Sequence, residues 1–167
     1  MKFNLVDRIT LVEPGRKLEG VKVVSLAEEY LQDHFPGRPV LPGVFMIEAM
    51  VQSGAWLVRV SDEFSHSIVI LREARNVRYG QFVRPGDSLE VKVELKEMGE
   101  GRAVLKGRGD VEGQMVVSGQ LEMEYFNLQD RDATMKETDQ VIIAGMKDQY
   151  RVLSSNVVQV TGTVGQG

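Results

Sequence analysis

The stretch PGVFMIEAMVQSGAWLVRV, residues 42–60, decides how the rest of the chain is read. Proline is accepted in the first turn of a helix because its missing N–H would be unpaired there anyway, so Pro42 and Gly43 mark a helix start. From Val44 to Val51 nearly every side chain is apolar, which predicts a helix buried nearly all round over residues 44–60. The segments around it have the other period. In LEVKVEL, residues 89–95, Leu89, Val91, Val93 and Leu95 fall on one face and Glu90, Lys92 and Glu94 on the other, as in a half-buried strand. Val117 to Tyr125 alternates in the same way. With glycine-containing turns in MGEGR (98–102) and VEGQ (111–114), residues 88–125 predict a three-stranded antiparallel meander. GVKVVSL (20–26) and SIVILREARNVRY (67–79) add further strands, the second long enough to bend. One long buried helix among about five antiparallel strands predicts an α+β fold in which a strongly curved sheet wraps the helix. The unpaired edges of such a sheet invite a second copy of the chain.

Composition narrows the function classes. The chain has 167 residues and no cysteine, which excludes disulfides, thiolate catalysis and Cys/His zinc sites. A net charge of −4 and a pI near 5.3 argue against general nucleic-acid binding, which needs a basic surface. The start, MKFNLVDRITLVEPG, never runs apolar for the roughly seven or more residues of a signal peptide and no stretch approaches a membrane span; with the absence of cysteine, a cytoplasmic protein without membrane insertion is expected. Composition shifts after Leu128, dividing the chain into a domain over 1–128 and a C-terminal extension over 129–167. In the extension, Met135, Ile142, Met146 and Leu153 form a helical stripe, followed by a tail. The ending GTVGQG lacks the lysine and the following helix that a phosphate loop requires.

The chemistry concentrates in HFPGRPVLPGVFMIEAMVQ, residues 34–52. His34 sits in a loop stiffened by Pro36, Pro39 and Pro42, and imidazole suits a general base near neutrality. Glu48 is a lone carboxylate in an apolar run, and burying it without a partner favours its protonated, acid form. The Gly43 N–H, at the positive end of the helix dipole, is placed to polarise a carbonyl oxygen. Together these parts describe proton abstraction beside a carbonyl with an acid for a departing hydroxyl. From the residues alone the bland alternatives stay open: an ordinary loop histidine, a glutamate that reaches the surface or pairs with an arginine, and a turn shaped by proline and glycine.

The same stretch closely resembles the signature of the bacterial 3-hydroxyacyl-acyl-carrier-protein dehydratases of the hotdog fold, the type with Glu on the central helix. LVDRI (5–9), ARNVRYGQFVRPGDSL (74–89) and MVVSGQLEM (115–123) extend the resemblance over roughly residues 3–125. It implies that His34 abstracts the C2 proton and Glu48 protonates the leaving C3 hydroxyl. It further implies that the Gly43 N–H holds the thioester carbonyl, that the Val40 carbonyl fixes the His34 tautomer, and that Gln52 orients the carboxyl or a water. By the same resemblance there is no metal or redox cofactor, the acyl chain arrives on the phosphopantetheine arm of an acyl carrier protein, and the site is shared across a homodimer that can assemble further as a trimer of dimers. Three features depart from the family pattern: Gln32 and Asp33 before His34, GQFV at 80–83, and the extension after Leu128.

Arg72, Arg75, Arg78 and Arg84 stand against a single acid, Glu73, in an otherwise acidic chain, and suggest a docking surface for the acidic carrier. Two other functions fit the same fold: a non-catalytic hotdog protein that binds acyl thioesters, and a hotdog thioesterase.

Overall fold

The computed structural model describes residues 3–31, 37–155 and 157. Strands β1 (Arg8–Glu13), β2 (Lys17–Val23), β3 (Ile68–Tyr79), β4 (Ser88–Gly99), β5 (Arg102–Val111) and β6 (Gln114–Phe126) form one antiparallel sheet. Their order across it is β1-β2-β4-β5-β6-β3. Helix α1 (Gly43–Ser61) runs between β2 and β3 and so carries the chain from one side of the sheet to the other; α2 (Lys136–Leu153) follows β6.

The alternation in β4 is realised as burial: Leu89, Val91 and Val93 are buried, and Glu90, Lys92 and Glu94 are exposed. Both meander turns are two-residue hairpins. Glu100 and Gly101 have φ of 52° and 76°, and Glu112 and Gly113 have 49° and 77°, the pair of positive values that a turn matching the strand twist requires. Helix α1 touches β2, β3, β4, β5 and β6. Five adjacent strands span about 20 Å, roughly twice a helix diameter, so a flat sheet could not reach it with all five; the sheet curls around α1. The contact is close where side chains are missing. An added Cβ at Gly107 would lie 2.8 Å from the Met50 Sδ, and one at Gly54 would meet Leu105 at 3.4 Å.

The sheet has six strands rather than about five. The sequence pattern does not single out β1 because a register shift between Ile9 and Leu11 breaks its alternation. Strand β2 begins three residues earlier than GVKVVSL suggests, since it grows from a hairpin with β1. Helix α1 is not buried all round in the single chain: Val44 is 64% exposed, and Phe45, Ile47, Glu48 and Gln52 are half-buried. One sheet can cover only one side of a helix, and the outward side of the first turns is left open.

Helix α2 packs Met146, Tyr150 and Leu153 against the core, with the Tyr150 ring 6.1 Å from Trp56 and 5.6 Å from Phe64. Of the four-residue stripe, Met146 and Leu153 lie on this packed face, Ile142 is half-buried, and Met135 precedes the helix. The buried Asp139 pins α2 to the sheet: its carboxylate accepts hydrogen bonds from the Ser67 hydroxyl and from the N–H groups of Leu128 and Gln129, the latter two at 2.9 Å. The GTVGQG ending lies outside the described residues.

Candidate active site

The N-terminus of α1 is capped by no side chain, and its first N–H groups, Gly43 included, have no acceptor inside the helix. The preceding loop is tied to the segment after β3 by the Leu41 N–H, which donates to the Val83 carbonyl at 2.8 Å.

One turn into α1, Glu48 is half-buried and accepts a hydrogen bond on Oε1 from Gln52 Nε2 at 3.0 Å. The expectation of a fully buried carboxylate without a partner therefore does not hold for the single chain. The orientation of the Gln52 amide is dictated by backbone. Its oxygen accepts from the Leu5 N–H at 2.9 Å and its nitrogen donates to the Phe3 carbonyl at 2.9 Å, which leaves an N–H, and not an oxygen, facing Glu48. Residues 3–5 thus set the direction of the amide that holds the carboxylate.

Elements not flagged by the sequence support this corner. Lys22 is buried in β2 and pairs with Glu28 at 2.7 Å and Asp7 at 3.3 Å, clamping both the N-terminal segment and the turn Glu29–Leu31 onto the sheet. Phe3, Tyr30 and Phe45 form an aromatic cluster with ring centroids 4.6–5.6 Å apart. Burial, reinforced by the Glu28 and Asp7 carboxylates, pushes the Tyr30 phenol up to about 12. A lone lysine in an alternating strand reads as solvent-facing, so only its tertiary partners reveal Lys22.

His34, with Gln32 and Asp33, lies outside the described residues. Val40 borders an open groove of about 1180 Å³ whose walls are Leu26, Pro39 and Phe82 and whose charged groups are Arg38 and Arg84. The arginines expected at a docking surface divide. Arg72 lies 3.6 Å from Glu124, Arg75 is bonded to Glu73 at 2.6 Å, Arg78 is exposed on β3, and Arg84 faces the groove beside Arg38. Strand β6 brings Glu122 and Glu124 alongside β3, so the excess of positive charge in the sequence of β3 is offset across the sheet. Among the described residues, no group of three or more His, Asp or Glu side chains is arranged to hold a metal, and no helix is long and apolar enough to cross a membrane.

Comparison with known proteins agrees with this architecture. Residues 1–120 match the FabA-like domain family. The chain belongs to that family. It is 40% identical over 119 residues to a 3-hydroxyacyl-acyl-carrier-protein dehydratase FabZ of Caldicellulosiruptor saccharolyticus, covering 71% of this chain and 85% of that one. The FabZ of Pelotomaculum thermopropionicum is 48% identical over 96 residues, 58% of this chain and 69% of its relative. Among solved structures, the dehydratase heterocomplex ApeI:P from Xenorhabdus doucetiae superposes with a TM-score of 0.63 at 20% identity, covering 80% of this chain and 90% of its own; at that identity it establishes the shared hotdog fold. Helix α2 lies beyond the matched family region.

Proposed function

We propose that this FabA-like protein dehydrates 3-hydroxyacyl-acyl-carrier-protein to the trans-2-enoyl thioester and water in fatty-acid biosynthesis. The observation that carries it is the identity to FabZ dehydratases over most of the chain, together with a glutamate on α1 held by an amide whose direction the backbone dictates. The thioester carbonyl oxygen sits at the Gly43 N–H, where the helix dipole and the unpaired donor stabilise the charge that develops as the C2 proton leaves. His34 takes that proton, with the Val40 carbonyl fixing its tautomer. The C2 electron pair forms the C2=C3 bond, the C3–O bond breaks, and Glu48 gives its proton to the departing hydroxyl, which leaves as water. Glu48 ends as a carboxylate and His34 as an imidazolium, and return of a proton from one to the other resets the site. Gln52 keeps Glu48 aimed at the C3 oxygen.

The domain over residues 1–128 carries this chemistry, and α2 of the extension over 129–167 packs Tyr150 against Trp56 of α1. The outer edge of β3, unpaired among the described residues, and the open first turns of α1 favour a homodimer that shares its sites, able to associate as a trimer of dimers in the cytoplasm. The acidic carrier approaches the groove bordered by Arg38 and Arg84, while Arg72, Arg75 and Arg78 lie on the adjoining β3. Incubation with a 3-hydroxyacyl thioester, following enoyl absorbance and free thiol, tests the reading. Enoyl product without thiol is expected. Free thiol would make the protein a thioesterase, and neither signal would make it a binding protein.

A further inference from the structure

The end of β3 places an aromatic side chain against the helix terminus that the reaction uses. An added Cβ on Gly43 would lie 2.9 Å from Tyr79 Cε1, 3.1 Å from its Cζ and 3.3 Å from its hydroxyl oxygen. The polar edge of the Tyr79 ring therefore lies across Gly43 itself, and the phenol reaches the first residue of α1. The mount is rigid. Tyr79 is paired with Val117 of β6, and the next residue, Gly80, donates its N–H to the Val116 carbonyl at 2.8 Å. Any side chain at Gly80 would run into the Met115 carbonyl, so the strand can close onto β6 only because that position is glycine. Tyr79 is 51% exposed, and its hydroxyl has no hydrogen bond to the other described residues.

We infer that the Tyr79 hydroxyl is a second hydrogen-bond donor to the carbonyl oxygen of the substrate thioester, acting beside the Gly43 N–H. The inference rests on the dehydratase reading and extends it by one residue. A phenol O–H beside the helix N-terminus is solvated in the free protein and can give its donor to a carbonyl oxygen that arrives there and displaces the water. Two donors converging on one oxygen stabilise the enolate-like charge more than the ground-state carbonyl, so the effect belongs to kcat more than to KM. A methyl group at position 43 would meet the ring at 2.9 Å and push it away from the oxygen.

Tyr79→Phe removes the hydroxyl and keeps the ring on Gly43, and it leaves no new unpaired group. The expected result is a fall in kcat of roughly ten- to a hundred-fold with KM changed less than three-fold and melting unchanged. A second measurement does not depend on turnover: the infrared carbonyl stretch of a bound, non-dehydratable acyl thioester should move to lower frequency in the wild type and recover part of that shift in Tyr79→Phe. Equal kcat and equal carbonyl frequency in the two proteins would overturn the inference. If the wild type forms no enoyl product yet the carbonyl shift depends on Tyr79, the dehydratase reading fails and the donor stands. If no acyl thioester binds, both fall.

Discussion

The side-chain amide of Gln52 can make hydrogen bonds in three directions here, and two of them are spent on backbone groups of Leu5 and Phe3. The third, to Glu48, is therefore a consequence of how the N-terminal segment lies on α1. Gln52→Leu strips partners from the Leu5 N–H and the Phe3 carbonyl, and losses of this kind cost about 1–3 kcal/mol. The expected outcome is a lower melting temperature together with a drop in kcat larger than any change in KM, measured by calorimetry and steady-state kinetics on the same preparation. Glu48→Gln, in contrast, should melt like the wild type and lose roughly 100-fold or more in turnover, the usual worth of a positioned general acid. The same loss is expected for His34→Ala. Near-wild-type turnover in either variant would remove that residue from the mechanism.

At the scale of elements, the attachment of α2 turns on one carboxylate. Burial pushes the Asp139 pKa up, but hydrogen bonds from the Ser67 hydroxyl and the Gln129 and Leu128 N–H groups outweigh it and leave the pKa below the ordinary aspartate value. A carboxyl depressed on folding adds stability that is fully present above its unfolded pKa of about 3.9 and is lost as pH falls through the lower folded value. Trp56 is the chain's single tryptophan and lies against Tyr150 of α2, so its emission reports on this contact. Acid titration of the wild type should change the emission only below about pH 4. Ser67→Ala removes one of the stabilising bonds and should move that change to higher pH. Identical titration curves would show that Asp139 does not hold the helix.

On the scale of the whole molecule, β3 ends the sheet with an edge unpaired among the described residues, and Ile70 on it is 45% exposed. If two copies join there and share sites, mixing inactive His34→Ala and Glu48→Gln subunits under exchanging conditions should restore part of the activity, because some heterodimers carry one intact site. Heterodimers demonstrated by mass but inactive would place each site within one chain. If an acidic carrier docks at Arg38 and Arg84, the attraction is screened over about 8 Å at physiological ionic strength. Reversing both charges should slow turnover of carrier-linked substrate at low salt and spare a pantetheine thioester; equal loss on both would point to damage within the site.

What was legible in the chain beforehand follows from what is local. The period of β4, the glycines of its hairpins and the proline-glycine start of α1 depend on neighbours within a few residues, so the curved sheet, the central helix and the motif over residues 34–52 could be read from order alone. Strand β1 escaped because its bulge interrupts that period. The partners of buried polar groups are a different matter. Lys22 meets Asp7 and Glu28, Gln52 meets residues 3–5, Arg72 meets Glu124, and Tyr79 meets Gly43 across separations that no periodicity encodes. Hydrogen bonds and ion pairs act over a few ångströms in space whatever the distance along the chain, so the sequence offered candidate residues while only the folded sheet decided which side chain holds Glu48 and which charges cancel.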